Sequence, residues 1–153
     1  MGFEFRPLDE GDVGRLEGVV DREVVLTMAL TAHDHYRGTA RWVLVDLRDL
    51  DVETAAAEVA DVGLVRRIDQ AAREVVRGRV RDLHIGFVCT EATYQSVVVP
   101  ILMALDEVEA SRLGLDTRFD RFDTLIDGFA WDAVSGVAEI PDWAHALDRP
   151  HRR

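Results

Sequence analysis

Apolar and polar positions alternate in some stretches of this chain and recur every three or four residues in others, and the switches between the two periods mark the elements. Phe3-Glu4-Phe5-Arg6 alternates and predicts an edge strand ended by Pro7. After a loop rich in Gly and Asp, Gly14 to Val20 reads as a second short strand. Asp21 is placed to cap a helix over residues 22–36, in which Val24, Val25, Met28 and Ala32 share one face. Trp42 to Leu47 is apolar on both faces apart from Asp46, the pattern of a central, largely parallel strand.

From Glu53 to Arg79 the period is helical with a break near Gly63, and Leu64, Ile68, Ala71, Ala72, Val75 and Val76 form the later stripe. Leu83 to Cys89 predicts another buried strand. A long helix follows, with Val98, Ile101, Leu102, Leu105 and Val108 on one face and Gly114 as its stop. Residues 117–122 alternate again as a last strand. Asp123 or Thr124 then caps a final helix through Trp131, closed by Gly136, and a short helix "DWAHAL" follows Pro141. Strand, strand, helix and then repeated strand–helix pairs predict an α/β fold with a mixed sheet. One domain over 1–136 is expected, with 137–153 as a C-terminal tail holding a short helix.

Within this order the segment "LEGVVDREVVLTMALTAHDHYRGTARWVLVDLRDLD" resembles the opening of STAS-like domains, the fold of bacterial anti-sigma-factor antagonists and of sulfate-transporter tails. Their small bacterial branch has a Leu-Glu-Gly strand, a helix and a "vLvDlrd" strand. "RFDTLIDGFAW" is similar to that branch's ending, with Phe122, Ala130 and Trp131 matching. The resemblance covers about residues 14–132. It implies a mixed four- to five-stranded sheet with helices packed mainly on one face, and proteins that bind partners or small ligands more often than they catalyse. Phospho-switched members carry Asp-Ser-Ser-Gly where the strand enters its helix. That turn falls here on Thr54-Ala55-Ala56-Ala57, without either serine or the glycine, so the usual phosphoacceptor is missing.

Composition narrows the chemistry. All 18 basic residues among the 153 are arginine. The absence of lysine excludes the phosphate-binding loop of nucleoside triphosphatases, Schiff-base and pyridoxal enzymes, and ordinary response-regulator receivers. Excess Arg, Ala, Val and Asp fits a GC-rich bacterial genome, and less well a salt-adapted proteome. A formal charge of −11 argues against nucleic acid or an anionic membrane as partner. With no bilayer-length apolar run, no signal-like start and a lone cysteine, a cytoplasmic location is expected.

Several positions could carry chemistry. Asp46, Asp49, Asp51 and Glu53 crowd the end of the third strand, and Asp49 and Asp51 have the spacing of a haloacid-dehalogenase-type phosphatase. Position 53 is Glu, however, and no lysine is present to neutralise a phosphoryl group. Asp oxygens suit a magnesium ion, but strand alternation sends Asp46 and Asp49 to opposite faces. A solvated or helix-capping turn is the plainer reading. Cys89 sits at a strand end before a helix, where nucleophiles are held, but it needs a base. His84 is roughly 16 Å along the same strand and on its other face; His33, His35 and His145 could approach through folding.

His33-Asp34-His35 resembles a metal dyad but ends a helix, where alternate residues diverge. Arg66, Arg73 and Arg77 share a helix face able to grip a phosphate or carboxylate, partly neutralised by Asp69, Glu74 and Asp82. No metal site and no cofactor are expected.

"VVVPILMAL", residues 97–105, is apolar all round where a surface helix is apolar on one side only. Val97, Val99 and Met103 become candidates for a partner- or ligand-binding surface; the alternative is cover by loops or by the tail with Trp143. Pro100 either starts or kinks this helix. The expectation is a non-catalytic protein that binds itself, a protein partner or a small apolar or acidic ligand. The enzyme alternative is a small hydrolase or transferase using Asp46 and Asp49 or Cys89.

Overall fold

The structure, a computed structural model, describes residues 2–19, 41–59, 84–100, 102–103 and 118–149. Among these residues, five strands form one mixed sheet in the consecutive order β1-β2-β3-β4-β5. They are β1 (Gly2–Pro7), β2 (Gly11–Gly18), β3 (Trp42–Leu50), β4 (His84–Val88) and β5 (Arg118–Phe122). β1 and β2 are an antiparallel hairpin, and every later pairing is parallel. The α/β class and the mixed sheet read from the pattern are therefore present, with five strands where the resemblance implies four or five.

The second strand begins three residues before the expected one. Gly11, Asp12 and Val13 are buried strand residues, not loop. Gly11 is what permits this: a Cβ there would occupy the space of the Trp42 ring and carbonyl. β3 also runs past Leu47 to Leu50, because Asp46, Arg48 and Asp49 find ion-pair partners instead of turning the chain into water. Gly86 serves close packing in β4, where a Cβ would lie 2.8 Å from Leu44 Cδ2 and from a Phe122 ring carbon.

The sheet is covered on both faces. On one, Leu16, Val45, Leu47 and Leu50 pack with Ala55 of α1 (Val52–Val59) and with Val97 and Val98 of the helix after β4. That helix begins as α2 (Glu91–Thr93) and passes into a wide π turn over Tyr94–Val98. On the other face, Val13, Trp42, Leu44 and Val88 pack with Leu125 and Phe129 of α3 (Leu125–Phe129) and Ala144 of α4 (Asp142–Asp148).

Among the described residues, helices cover both faces, because β3 alternates two apolar sets and both require cover. The segment expected as a C-terminal tail packs on the sheet over its described part, residues 137–149. Val137, Ile140, Trp143, Ala144 and Leu147 belong to the second core, with Ala144 fully buried. Trp42, Phe129 and Trp143 continue that core as edge-on aromatic contacts at 6.1 Å each, and Trp42 Nε1 donates to the Ser135 carbonyl at 2.9 Å. Among the described residues, no helix is long and apolar enough to cross a membrane.

Candidate functional site

The C-terminal ends of β3 and β4 are where a parallel sheet usually holds its ligands, and here they carry Asp46, Asp49 and Cys89. Asp46 is 1% exposed. Its carboxylate accepts from Arg48 through the backbone N–H (3.1 Å), Nε (3.0 Å) and Nη2 (2.9 Å). Arg48 Nη1 continues to Asp148 Oδ1 at 2.7 Å. Asp148 in turn accepts from the backbone N–H groups of Leu125 and Ile126, each at 2.9 Å.

Asp46 is thus the first link in a chain that fastens α4 and the free start of α3 to the sheet. Burial works against the Arg48 charge. The hydrogen bond and charge of Asp46, then those of Asp148, outweigh it and hold the Arg48 pKa above its ordinary value.

Asp49 belongs to a different pair. Arg15 of β2 donates to its carboxylate and also lies 3.8 Å from Glu4 and 3.9 Å from Glu17. Burial lowers the Arg15 pKa, but its hydrogen bond to Asp49 and the charges of Asp49, Glu17 and Asp46 raise it overall. Asp51 accepts from the Thr54 backbone N–H (3.2 Å) and hydroxyl (3.0 Å), an N-terminal cap of α1. Glu53 is exposed in the first turn of the same helix. The four carboxylates do not converge. Among the described residues, no cluster of three His, Cys, Asp or Glu could hold a metal ion.

Cys89 is buried, and burial pushes its thiol up to about 11, against a smaller lowering by the Arg121 charge. A thiol so held is not a nucleophile near neutral pH. His84 is on the other face, edge-on to Trp131 at 5.6 Å, and His145 is exposed on α4. Arg121 Nη1 donates to the Cys89 carbonyl at 2.9 Å and to Asp123 at 2.6 Å, while its Nε meets Glu91 at 2.9 Å. The guanidinium ties β5 to the start of α2. His33, His35 and the arginines from 66 to 81 lie outside the described residues.

The over-apolar helix divides more sharply. Thr90 caps its start, with its hydroxyl accepting from the Thr93 N–H at 3.2 Å. Pro100 therefore lies inside the helix. The Val99 N–H reaches back five residues to the Tyr94 carbonyl. This widened turn relieves the clash that a proline ring makes with the carbonyl four residues before it. Ser96 adds a hydroxyl bond to the Ala92 carbonyl at 2.9 Å.

Val97 and Val98 are 5% and 2% exposed. Val97 therefore leaves the set of surface candidates, because the turn that begins at Tyr94 rotates it into the core. Val99 is half-buried, and Met103 is 64% exposed. Trp143 does not cover Met103; it packs on the opposite face of the sheet, against Phe129 and under Arg6.

Two features went unread in the sequence. Phe119 of β5 is 40% exposed while stacked on Phe87 at 6.4 Å; the alternation "RFDRF" carried the signal without saying which edge is open. Asp12 is 3% exposed, its Oδ2 has no hydrogen-bond partner among the described residues, and burial raises its pKa to about 7. It had looked like part of a polar loop. No family model matches the chain, and no curated protein matches it.

Proposed function

We propose that this protein is a non-catalytic STAS-like α/β protein of the bacterial cytoplasm that acts by binding, without the phosphoacceptor serine usual in such proteins. The observation that carries the reading is Met103, 64% exposed on a helix whose Val97 and Val98 fill the core. An exposed large apolar side chain grouped with the partly buried Leu102 and Val99 on one helix favours a binding surface. The half-buried Val99 precedes it on the same helix. The occupant is a second protein surface or a small apolar or acidic ligand.

The groups that a hydrolase or transferase would need are engaged elsewhere: Asp46 and Asp49 with separate arginines, Cys89 as a buried thiol. The catalytic alternative draws no support from this geometry. The test is Met103→Glu, read by an apolar fluorescent dye and by mass in solution. Dye binding is expected to fall severalfold, with loss of any assembly built through this helix. If both readouts match the unaltered protein, the proposal fails.

A further inference from the structure

We infer that two copies of this chain pair edge to edge through β5, antiparallel and centred on Phe119, to make one continuous sheet. This surface is separate from the Met103 helix. Among the described residues β5 pairs with β4 alone. The Cys89 N–H donates to the Phe122 carbonyl at 3.0 Å, so the backbone groups of Phe122 point toward β4. Strand alternation then turns the N–H and C=O of Phe119 and Arg121 outward. The Arg121 N–H is already taken by Asp120 Oδ1 at 2.8 Å. Phe119 is left as the residue presenting both an N–H and a C=O at the edge, beside a ring that is 40% exposed and backed by Phe87.

A two-fold axis through one residue keeps paired side chains on the same face, which restricts the registers. Centring on Asp120 sets two carboxylates against each other, and centring on Arg121 opposes two guanidinium groups; both are unfavourable. Centring on Phe119 opposes two phenylalanines and allows two reciprocal N–H to C=O bonds between them. It also sets position 118, an arginine in the sequence, opposite Asp120 of the second copy, twice over. Arg-Phe-Asp is therefore self-complementary when read antiparallel. The other edge carries the same kind of pattern in Glu4-Phe5-Arg6, but there Glu4 and Arg6 already pair with each other at 3.2 Å and Pro7, without an N–H, ends the strand.

The test is sedimentation equilibrium over a range of concentrations, with circular dichroism to confirm that each variant is folded. The unaltered chain is expected to reach twice the mass of one chain. Asp120→Arg, which opposes like charges, should give the mass of a single chain. Arg118→Asp combined with Asp120→Arg should restore the dimer. Met103→Glu should retain it, which separates this inference from the helix surface. A single-chain mass throughout for the unaltered protein, or a dimer that survives Asp120→Arg, overturns it. So does a dimer that is lost only in Met103→Glu.

Discussion

Asp46 and Asp12 lie on neighbouring parallel strands and are both almost wholly removed from water, yet their surroundings treat the carboxylate in opposite ways. Asp46 receives three hydrogen bonds from Arg48, whose remaining nitrogen is anchored on Asp148. Its charge is compensated where it lies. Asp12 has an oxygen with no partner among the described residues, and burial lifts its pKa from 3.8 to about 7. A buried carboxylate is tolerated when its lone pairs are filled and otherwise takes up a proton. The same residue type is thus a fastening in one place and a standing cost in the other.

The largest expected effect comes from breaking the fastened side. Asp46→Ala leaves Arg48 partly buried beside an empty site and loosens the link to α4. A loss of about 3–5 kcal/mol of unfolding free energy is expected, as for other broken buried pairs, measured by urea titration. A cost under about 1 kcal/mol would show that the pair is merely ornamental to stability.

Asp12 should give a smaller change of opposite sign. Below pH 3.8 both folded and unfolded chains hold its proton. Between 3.8 and about 7 only the folded state does, so stability falls as pH rises through that window. Above about 7 the folded chain must bury the charge, and the penalty is complete. Asp12→Asn removes the titration. It should stabilise by roughly 1–2 kcal/mol at pH 8, less than the full linkage because the amide brings its own unpaired groups. Melting curves at pH 5 and pH 8 decide it: equal shifts at both would rule out proton linkage at this residue.

Asp51 sharpens the contrast at its weak end, where a carboxylate stays in water and only caps a helix. Asp51→Ala should cost about 1 kcal/mol, seen as a small drop in melting temperature with no change in its pH dependence.

Much of the fold was legible because periodicity records which faces are buried. Trp42 to Leu47 announced a strand covered on both sides, and Thr124 was among the two caps expected for the helix that it does cap, accepting from the Asp127 N–H at 3.1 Å. The residues that misled were those whose local character conflicts with their environment. Gly11 and Asp12 have loop chemistry but lie under Trp42 and within the sheet. "DWAHAL" reads as a short helix of the C-terminal tail, and its Ala144 is fully buried in the second core.

The candidate site was less legible than the fold. Asp46 and Asp49 were found as charged positions, but their engagement depends on Arg15, 34 residues before Asp49, and on Asp148, 100 residues after Arg48. Val97 and Met103 look alike in an all-apolar helix, and the wide turn at Tyr94 separates them into core and surface.

By itself, the sequence determined the order of the described strands, the two-sided apolar strand and the chemistries that a chain without lysine cannot perform. These are set by local spacing and by residue inventory. Only the tertiary structure decided which charges neutralise one another, that the C-terminal helix closes the second face, and that Asp12 is stranded while Asp46 is held. Those outcomes depend on contacts between residues far apart in the chain, which no local pattern encodes.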